Sequence, residues 1–310
     1  MRATALPLMA EPSPIPPSER WPNRDPAVEV RHIVLSGGDR VRTVAAGPAG
    51  GQPALLIHGW ACSAFLFRKN FAALAAAGYR AIALDLRGHG ESDKPEAESA
   101  YTLGAMTTHV LEAMHALGLP PAVLVGQSMG GRIALEAARR APERATRVVL
   151  IDSVGFGRVG ASRVLRLAGW HGFERLLPHL VRRETIRLVL RATSGARRRF
   201  TERDIDEYVA ASRSPEFLRA MQTLLRVFAW EPLNPEFLDT VSHPLLLVLG
   251  TRDRVVRFHR SNRLLRERPG LTVSWIEGAG HAPNEEMPEE TNRVIVEWLA
   301  PLIDRSRAMS

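Results

Sequence analysis

Ala122-Val123-Leu124-Val125-Gly126-Gln127-Ser128-Met129-Gly130-Gly131-Arg132-Ile133-Ala134-Leu135 is the stretch whose reading decides the fold. The first four residues are apolar and β-branched enough for a buried strand, and Arg132 to Ala138 reads as a helix. Between them a serine stands among glycines. So sharp a turn pushes Ser128 into a strained backbone geometry that exposes its hydroxyl, and small neighbours let strand and helix pass closely. A helix that starts at the serine aims the Met129 N–H and the positive end of its dipole at whatever the hydroxyl meets. A Gly-rich turn in an ordinary α/β protein would look similar, so the surrounding chain has to decide.

Upstream, Val28 to Leu35 alternates apolar and polar residues, Ser36-Gly37-Gly38-Asp39 is a turn, and Val41 to Ala46 returns, which reads as a hairpin. Ala54-Leu55-Leu56-Ile57 is a buried strand ending in His58-Gly59-Trp60. Phe65 to Ala77 is a helix, Arg80 to Leu84 another buried strand, and Asp85-Leu86-Arg87-Gly88-His89-Gly90-Glu91-Ser92-Asp93 a loop. Tyr101 to Leu119 has apolar residues at helical spacing, and Arg147 to Asp152 closes the first half with a strand. Strand and helix in this rhythm mean a parallel sheet covered on both faces, with ligands bound beyond the carboxyl ends of the strands. From about Gly155 to Thr240 the rhythm gives way to helical periodicity with no strand. It then resumes: strand Pro244 to Gly250, helix Phe258 to Arg268, strand Thr272 to Ile276, helix Glu285 to Ile303. The expected organisation is an irregular arm over 1–27, core over 28–154, a helical insertion over 155–240 and core over 241–310.

The composition is globular, with 45% hydrophobic and 24% charged residues among 310. Seven of 22 prolines fall in the first 27 residues, which forbids a helix of useful length there. The opening decapeptide is a poor secretory signal and no stretch approaches the ~20 apolar residues of a membrane span, so a cytoplasmic location is expected. Cys62 is the single cysteine, which excludes an internal disulfide. The net charge of +8 is carried almost wholly by arginine, and the insertion holds 15 arginines against 10 acidic residues. No aromatic interleaving or binding motif accompanies that charge, which argues against nucleic acid. A basic insertion leaves room for weak association with an anionic membrane surface.

Two loops after the insertion complete the pattern. Gly250-Thr251-Arg252-Asp253 puts an acid just past a buried strand, and Gly278-Ala279-Gly280-His281 puts a histidine just past the next. A serine hydroxyl is a weak nucleophile and needs a base that works near neutrality, which histidine is. An acid fixes the tautomer of the imidazole and stabilises the imidazolium. Asp152, which also ends a strand at the same edge, is the second candidate for that acid. His58, His89 and Asp85 read as residues that order their loops.

With Ser128, Asp253 and His281 in this chain order, residues 28 to 305 resemble the α/β-hydrolase superfamily. His58-Gly59, the Asp85-to-Asp93 loop, the serine turn, Gly250-to-Asp253 and Gly280-His281 match its landmarks in register. The resemblance implies an α/β-hydrolase fold, a mostly parallel eight-stranded sheet with helices on both faces and a helical cap after strand 6. It implies a Ser128–His281–Asp253 triad, an oxyanion hole from the N–H groups of Trp60 and Met129, and no metal or organic cofactor. The expected activity is that of a serine hydrolase on a carboxylic ester or related acyl bond of a small, fairly apolar molecule. A C–C hydrolase, acyltransferase or perhydrolase with the same triad is the alternative within enzymes, and a low-turnover binding or accessory protein the alternative outside them. Gln127 departs from the histidine or asparagine that several subfamilies carry before the nucleophile. A serine there also argues against epoxide hydrolases and haloalkane dehalogenases, which use aspartate. Trp60, Met129, Trp170, Phe228 and Trp230 are the expected pocket residues.

Overall fold

The computed structural model describes residues 15–23, 25–160, 182–195, 200–212, 214–258, 263–265 and 269–308. Eight strands form one sheet: β1 (Glu29–Val34), β2 (Arg40–Ala46), β3 (Gln52–Ile57), β4 (Tyr79–Leu84), β5 (Ala122–Gln127), β6 (Ala145–Ile151), β7 (Leu245–Gly250) and β8 (Leu271–Ile276). Their spatial order is β1-β2-β4-β3-β5-β6-β7-β8. The β1–β2 and β2–β4 pairs are antiparallel and the remaining pairs parallel. The chain leaves β3 toward β4 on one side and returns to β5 on the other. That reversal opens a crevice at the carboxyl ends of β3 and β5, where an open α/β sheet binds its ligands.

Alternation along each strand splits the core into two layers. Leu55, Ile57, Leu124, Val148 and Leu247 pack with α2 (Leu103–Ala116) and α3 (Met129–Arg140) on one face. Leu56, Val123, Val125, Val149 and Val248 pack with α1 (Phe71–Ala76) and the C-terminal helix on the other. Helix α2 shows why the spacing worked. Met106, Val110, Ala113 and Met114 are its buried face, and the Thr102 hydroxyl caps it by accepting the Ala105 N–H at 3.2 Å.

The segment between β6 and β7 contains α4 (Arg183–Thr193), α5 (Glu202–Ala211) and α6 (Pro215–Val227). Among its described residues it departs from the sequence reading at Arg158–Val159, which pairs antiparallel with Val256–Arg257. A two-residue ribbon is too short to leave a period. Of the helix expected over Phe258 to Arg268, most lies outside the described residues and Arg263–Leu265 is a 3-10 turn; two other helices are broken where one was expected. Ala64–Phe67 is a 3-10 turn separated from α1, and α7 (Pro283–Glu286) is separated from α8 (Pro288–Ala308), with proline at the break. The apolar face of α6 (Phe217, Leu218, Met221, Leu224, Leu225) is buried as its spacing predicts. Leu188 and Val189 on α4 are exposed. Arg183, Arg187 and Arg203 pair with acidic side chains of the same segment, and Arg219 and Arg226 reach Glu96 and Glu98 before α2. No described helix is long and apolar enough to cross a membrane.

One buried ionic cluster joins α5 to the core. Arg68 reaches Asp204 and Glu285 at 2.5 Å each, and its guanidinium lies 3.9 Å from the centroid of the Phe65 ring. Asp204 also closes the capping box of α5 with Thr201, and Tyr208 donates its hydroxyl to Glu285 at 2.7 Å. The N-terminal arm reaches the same helix: the Trp21 N–H donates to Glu207 at 2.9 Å while its ring packs on Phe65 and Phe71. Removing one partner of a buried pair strands the other charge. Arg68→Met, which keeps an apolar stem, should lower stability by about 3 kcal/mol in denaturant unfolding. Adding Glu285→Gln to that variant should restore part of the loss.

Candidate active site

The serine turn is built by close approach. Ser128 has φ 52° and ψ −116°, one of three non-glycine residues with positive φ among those described. A methyl group on Gly130 would lie 2.1 Å from the Ile57 carbonyl oxygen, and one on Gly126 would lie 2.4 Å from that of Gly130. Side chains at either position would push α3 off the sheet. The turn is tied on its far side by the Ser128 N–H, which donates to the Ile151 carbonyl at 2.9 Å.

Three strand ends then converge. Ser128 Oγ lies 2.9 Å from His281 Nε2, and His281 Nδ1 lies 2.8 Å from Asp253 Oδ2. With the carboxylate as acceptor, Nδ1 carries the proton and Nε2 faces the hydroxyl as the free base. The Asp253 side chain is only 1% exposed and that of His281 15%. Asp253 Oδ1 accepts the N–H groups of Val255 and Val256 at 2.7 and 3.1 Å, which aims Oδ2 at the imidazole. Asp152 makes no hydrogen bond to His281. Its Oδ1 accepts the Gly250 N–H at 2.9 Å instead.

The β3 loop lies against this group. A methyl on Gly59 would come 3.1 Å from Ser128 Cβ and 2.3 Å from Gln127 Oε1. Among the described residues, the backbone N–H groups of Trp60 and Met129 meet no protein acceptor; Met129 follows Ser128 in the chain, and Trp60 follows Gly59, which packs on the serine. His58 orders the loop: its Nε2 accepts the Leu86 N–H at 3.0 Å and its Nδ1 faces the Gly59 carbonyl at 2.8 Å. Burial pushes His58 and His89 below the usual histidine range, which keeps both rings neutral. Asp85 anchors the next loop. Burial alone would raise its carboxyl, but the adjacent Arg42, 2.7 Å away, and the N–H donors of Ala64 and Glu91 hold it down to about 2.

Two contacts at the site carried no sequence signal. Gln127 is buried and donates from Nε2 to the His281 carbonyl at 2.8 Å, linking β5 to the histidine loop. Glu286 accepts the N–H groups of Gly280, Ala282 and Gly195 within 3.0 Å, so one carboxylate gathers both sides of His281 and the end of α4. The His281 N–H itself donates to Thr193 of that helix at 2.9 Å. Their partners are distant in sequence, so neither role has a local pattern. Of the expected pocket residues, Trp60 is half-buried and donates from Nε1 to the Met221 carbonyl on α6 at 3.0 Å. Met129 and Phe228 are buried in the same core layer that Trp230 packs against, with the Phe228 and Trp230 rings 5.0 Å apart. Trp170 lies outside the described residues.

Asp152, Asp253 and His281 bring three metal-ligating groups within 4.8 Å of one another, but Asp253 and His281 are already committed to each other.

The model of the Alpha/beta hydrolase family matches residues 54–294. The chain is 31% identical to the uncharacterized hydrolase YugF of Bacillus subtilis, over 81% of this chain and 90% of that one. It is 26% identical to Lipase 1 of Psychrobacter immobilis, over 85% and 82%. The meta-cleavage product hydrolase CumD of Pseudomonas fluorescens IP01 superposes with a TM-score of 0.74 at 26% identity, covering 88% of this chain and 98% of that one. The sheet, the serine turn at its switch point and these similarities together make the chain a member of the alpha/beta hydrolase family.

Proposed function

We propose that the protein is a serine hydrolase that cleaves a carboxylic ester or related acyl bond of a small, fairly apolar molecule. The observation that carries this reading is the unbroken hydrogen-bonded chain from Ser128 Oγ through His281 to Asp253. In this reading Ser128 attacks the carbonyl carbon while His281 Nε2 takes its proton. Asp253 holds the tautomer and offsets the charge of the imidazolium. The tetrahedral oxyanion is received by the N–H groups of Trp60 and Met129, whose lack of a protein acceptor supports the assignment. His281 then protonates the leaving group, and water activated by the same imidazole releases the acyl group. A carboxylate nucleophile, as epoxide opening would need at this turn, is not what this chain presents.

The same constellation serves C–C bond hydrolysis, and the likeness to a meta-cleavage product hydrolase keeps that as the second reading. Product analysis on an ester panel and on a vinylogous diketone separates the two. The helical segment over 155–240 is proposed as the cap that selects the substrate. It meets the site at Thr193, Gly195 and Met221, and Phe228 and Trp230 are the proposed apolar wall.

Ser128→Ala should lower hydrolysis of an activated ester by about 10⁴ or more and abolish labelling by a fluorophosphonate, with the unfolding midpoint retained. Asp253→Asn should cost about 10⁴ in kcat, and Asp152→Asn far less, since only Asp253 contacts the imidazole. The reverse ranking would move the acid to the end of β6. Phe228→Leu and Trp230→Leu should change the preferred acyl chain length while fluorophosphonate labelling of Ser128 persists; an unchanged profile would remove both from the pocket.

A further inference from the structure

Asp152 is the first residue after β6, fully buried, with a φ of 42° in the left-handed region. Backbone strain of this kind persists where the surroundings over-determine it. Its N–H donates to the Val248 carbonyl at 2.9 Å, and its Oδ1 accepts the Gly250 N–H at 2.9 Å. Oδ2 is buried, and among the described residues it has no hydrogen-bond partner. Beside it stands the Asp253–His281 pair, with ligating atoms of all three within 4.8 Å of one another.

Two carboxyl groups this close and shielded from water do not both carry charge, because desolvation and mutual repulsion oppose the second ionisation. The donors show which one keeps it. Asp253 receives two backbone N–H groups and the imidazole, whereas Asp152 receives one N–H and leaves an oxygen bare. A proton on that bare oxygen removes the second charge, and the Asp253 carboxylate lies beside the group, within 4.8 Å.

We propose that Asp152 is a neutral carboxylic acid in the working protein, its Oδ2–H turned toward the Asp253 carboxylate, and that it is a positioning residue which sets how firmly Asp253 holds the proton on His281. Burial, then the charge of Asp253, and then that of Glu286 push the Asp152 carboxyl well above the usual carboxylate range. Asp253 after β7, and His281 and Glu286 after β8, are the titratable groups that face it. With Asp152 neutral, the imidazole meets one negative charge rather than two, and the donated hydrogen bond draws part of that charge away. His281 can then return its proton to a leaving group instead of retaining it. The proposal rests on the Ser128–His281–Asp253 reading.

Infrared difference spectra between wild type and Asp152→Asn read the proton directly. A protonated-carboxyl C=O band present in the wild type at neutral pH and lost in the variant is expected, and no such band overturns the proposal. The acid limb of kcat/KM reads the coupling. Asp152→Ala removes the donor and should move that limb upward by roughly half a pH unit or more. Asp152→Asn replaces one neutral donor by another and should hold the limb in place and recover most of the rate lost in Asp152→Ala. A downward shift in both variants would mean that Asp152 is ionised in the wild type, and an unmoved limb in Asp152→Ala would mean that it does not act on His281; either overturns the proposal. The infrared measurement needs no turnover, so it stands or falls separately from fluorophosphonate labelling of Ser128, which tests the triad itself.

Discussion

The left-handed backbone of Ser128 is held in place by contact between β3, β5 and α3, and the geometry of the site depends on that contact. Gly130 runs against the Ile57 carbonyl, Gly126 against Gly130, and Gly59 against the Ser128 side chain. A residue with φ 52° and a side chain costs of order 1–3 kcal/mol, and only packing this close keeps it there. In return the serine stands at the start of α3, with its hydroxyl 2.9 Å from His281 Nε2. The same contact places the loop after β3 against the serine.

The other half of the site hangs from the carboxyl ends of β6, β7 and β8. These strands run parallel in register, Ile151 beside Val248 and Gly250 beside Ile276, so the residues just beyond them meet. Asp152, Asp253 and His281 are close because parallel neighbours end at one edge, although 129 residues separate the first from the last. Two acids arrive where one histidine can use only one. The Asx-type contacts of Asp253 with Val255 and Val256 aim it at the ring, while Asp152 is turned to the Gly250 N–H.

The segment between β6 and β7 is integrated with this edge. Thr193 accepts the His281 N–H, Glu286 gathers Gly195 with the histidine loop, and Trp60 reaches back to Met221. The buried Arg68–Asp204–Glu285 cluster ties α5 to the core a few residues beyond His281. Movement of this segment would therefore be felt at the histidine and at the loop after β3 together.

Much of this was legible in the amino-acid order. Alternating or continuous apolar runs located all eight sheet strands, and Ser128, Asp253 and His281 stood out because glycines and strand ends bracket them. Those signals are local, set by neighbours within a turn or a strand. The order could not say which of Asp253 and Asp152 contacts the imidazole, since both follow a buried strand at the same edge, and loop geometry gives that contact to Asp253. The Gln127–His281 and Glu286–Gly195 contacts, the break before α1 and the Arg158–Val159 ribbon were likewise settled by tertiary packing. A hydrogen bond between residues 154 positions apart, as from Gln127 to His281, has no period or motif. It exists only once parallel strands have brought two distant loops to one edge, and that requires the folded sheet.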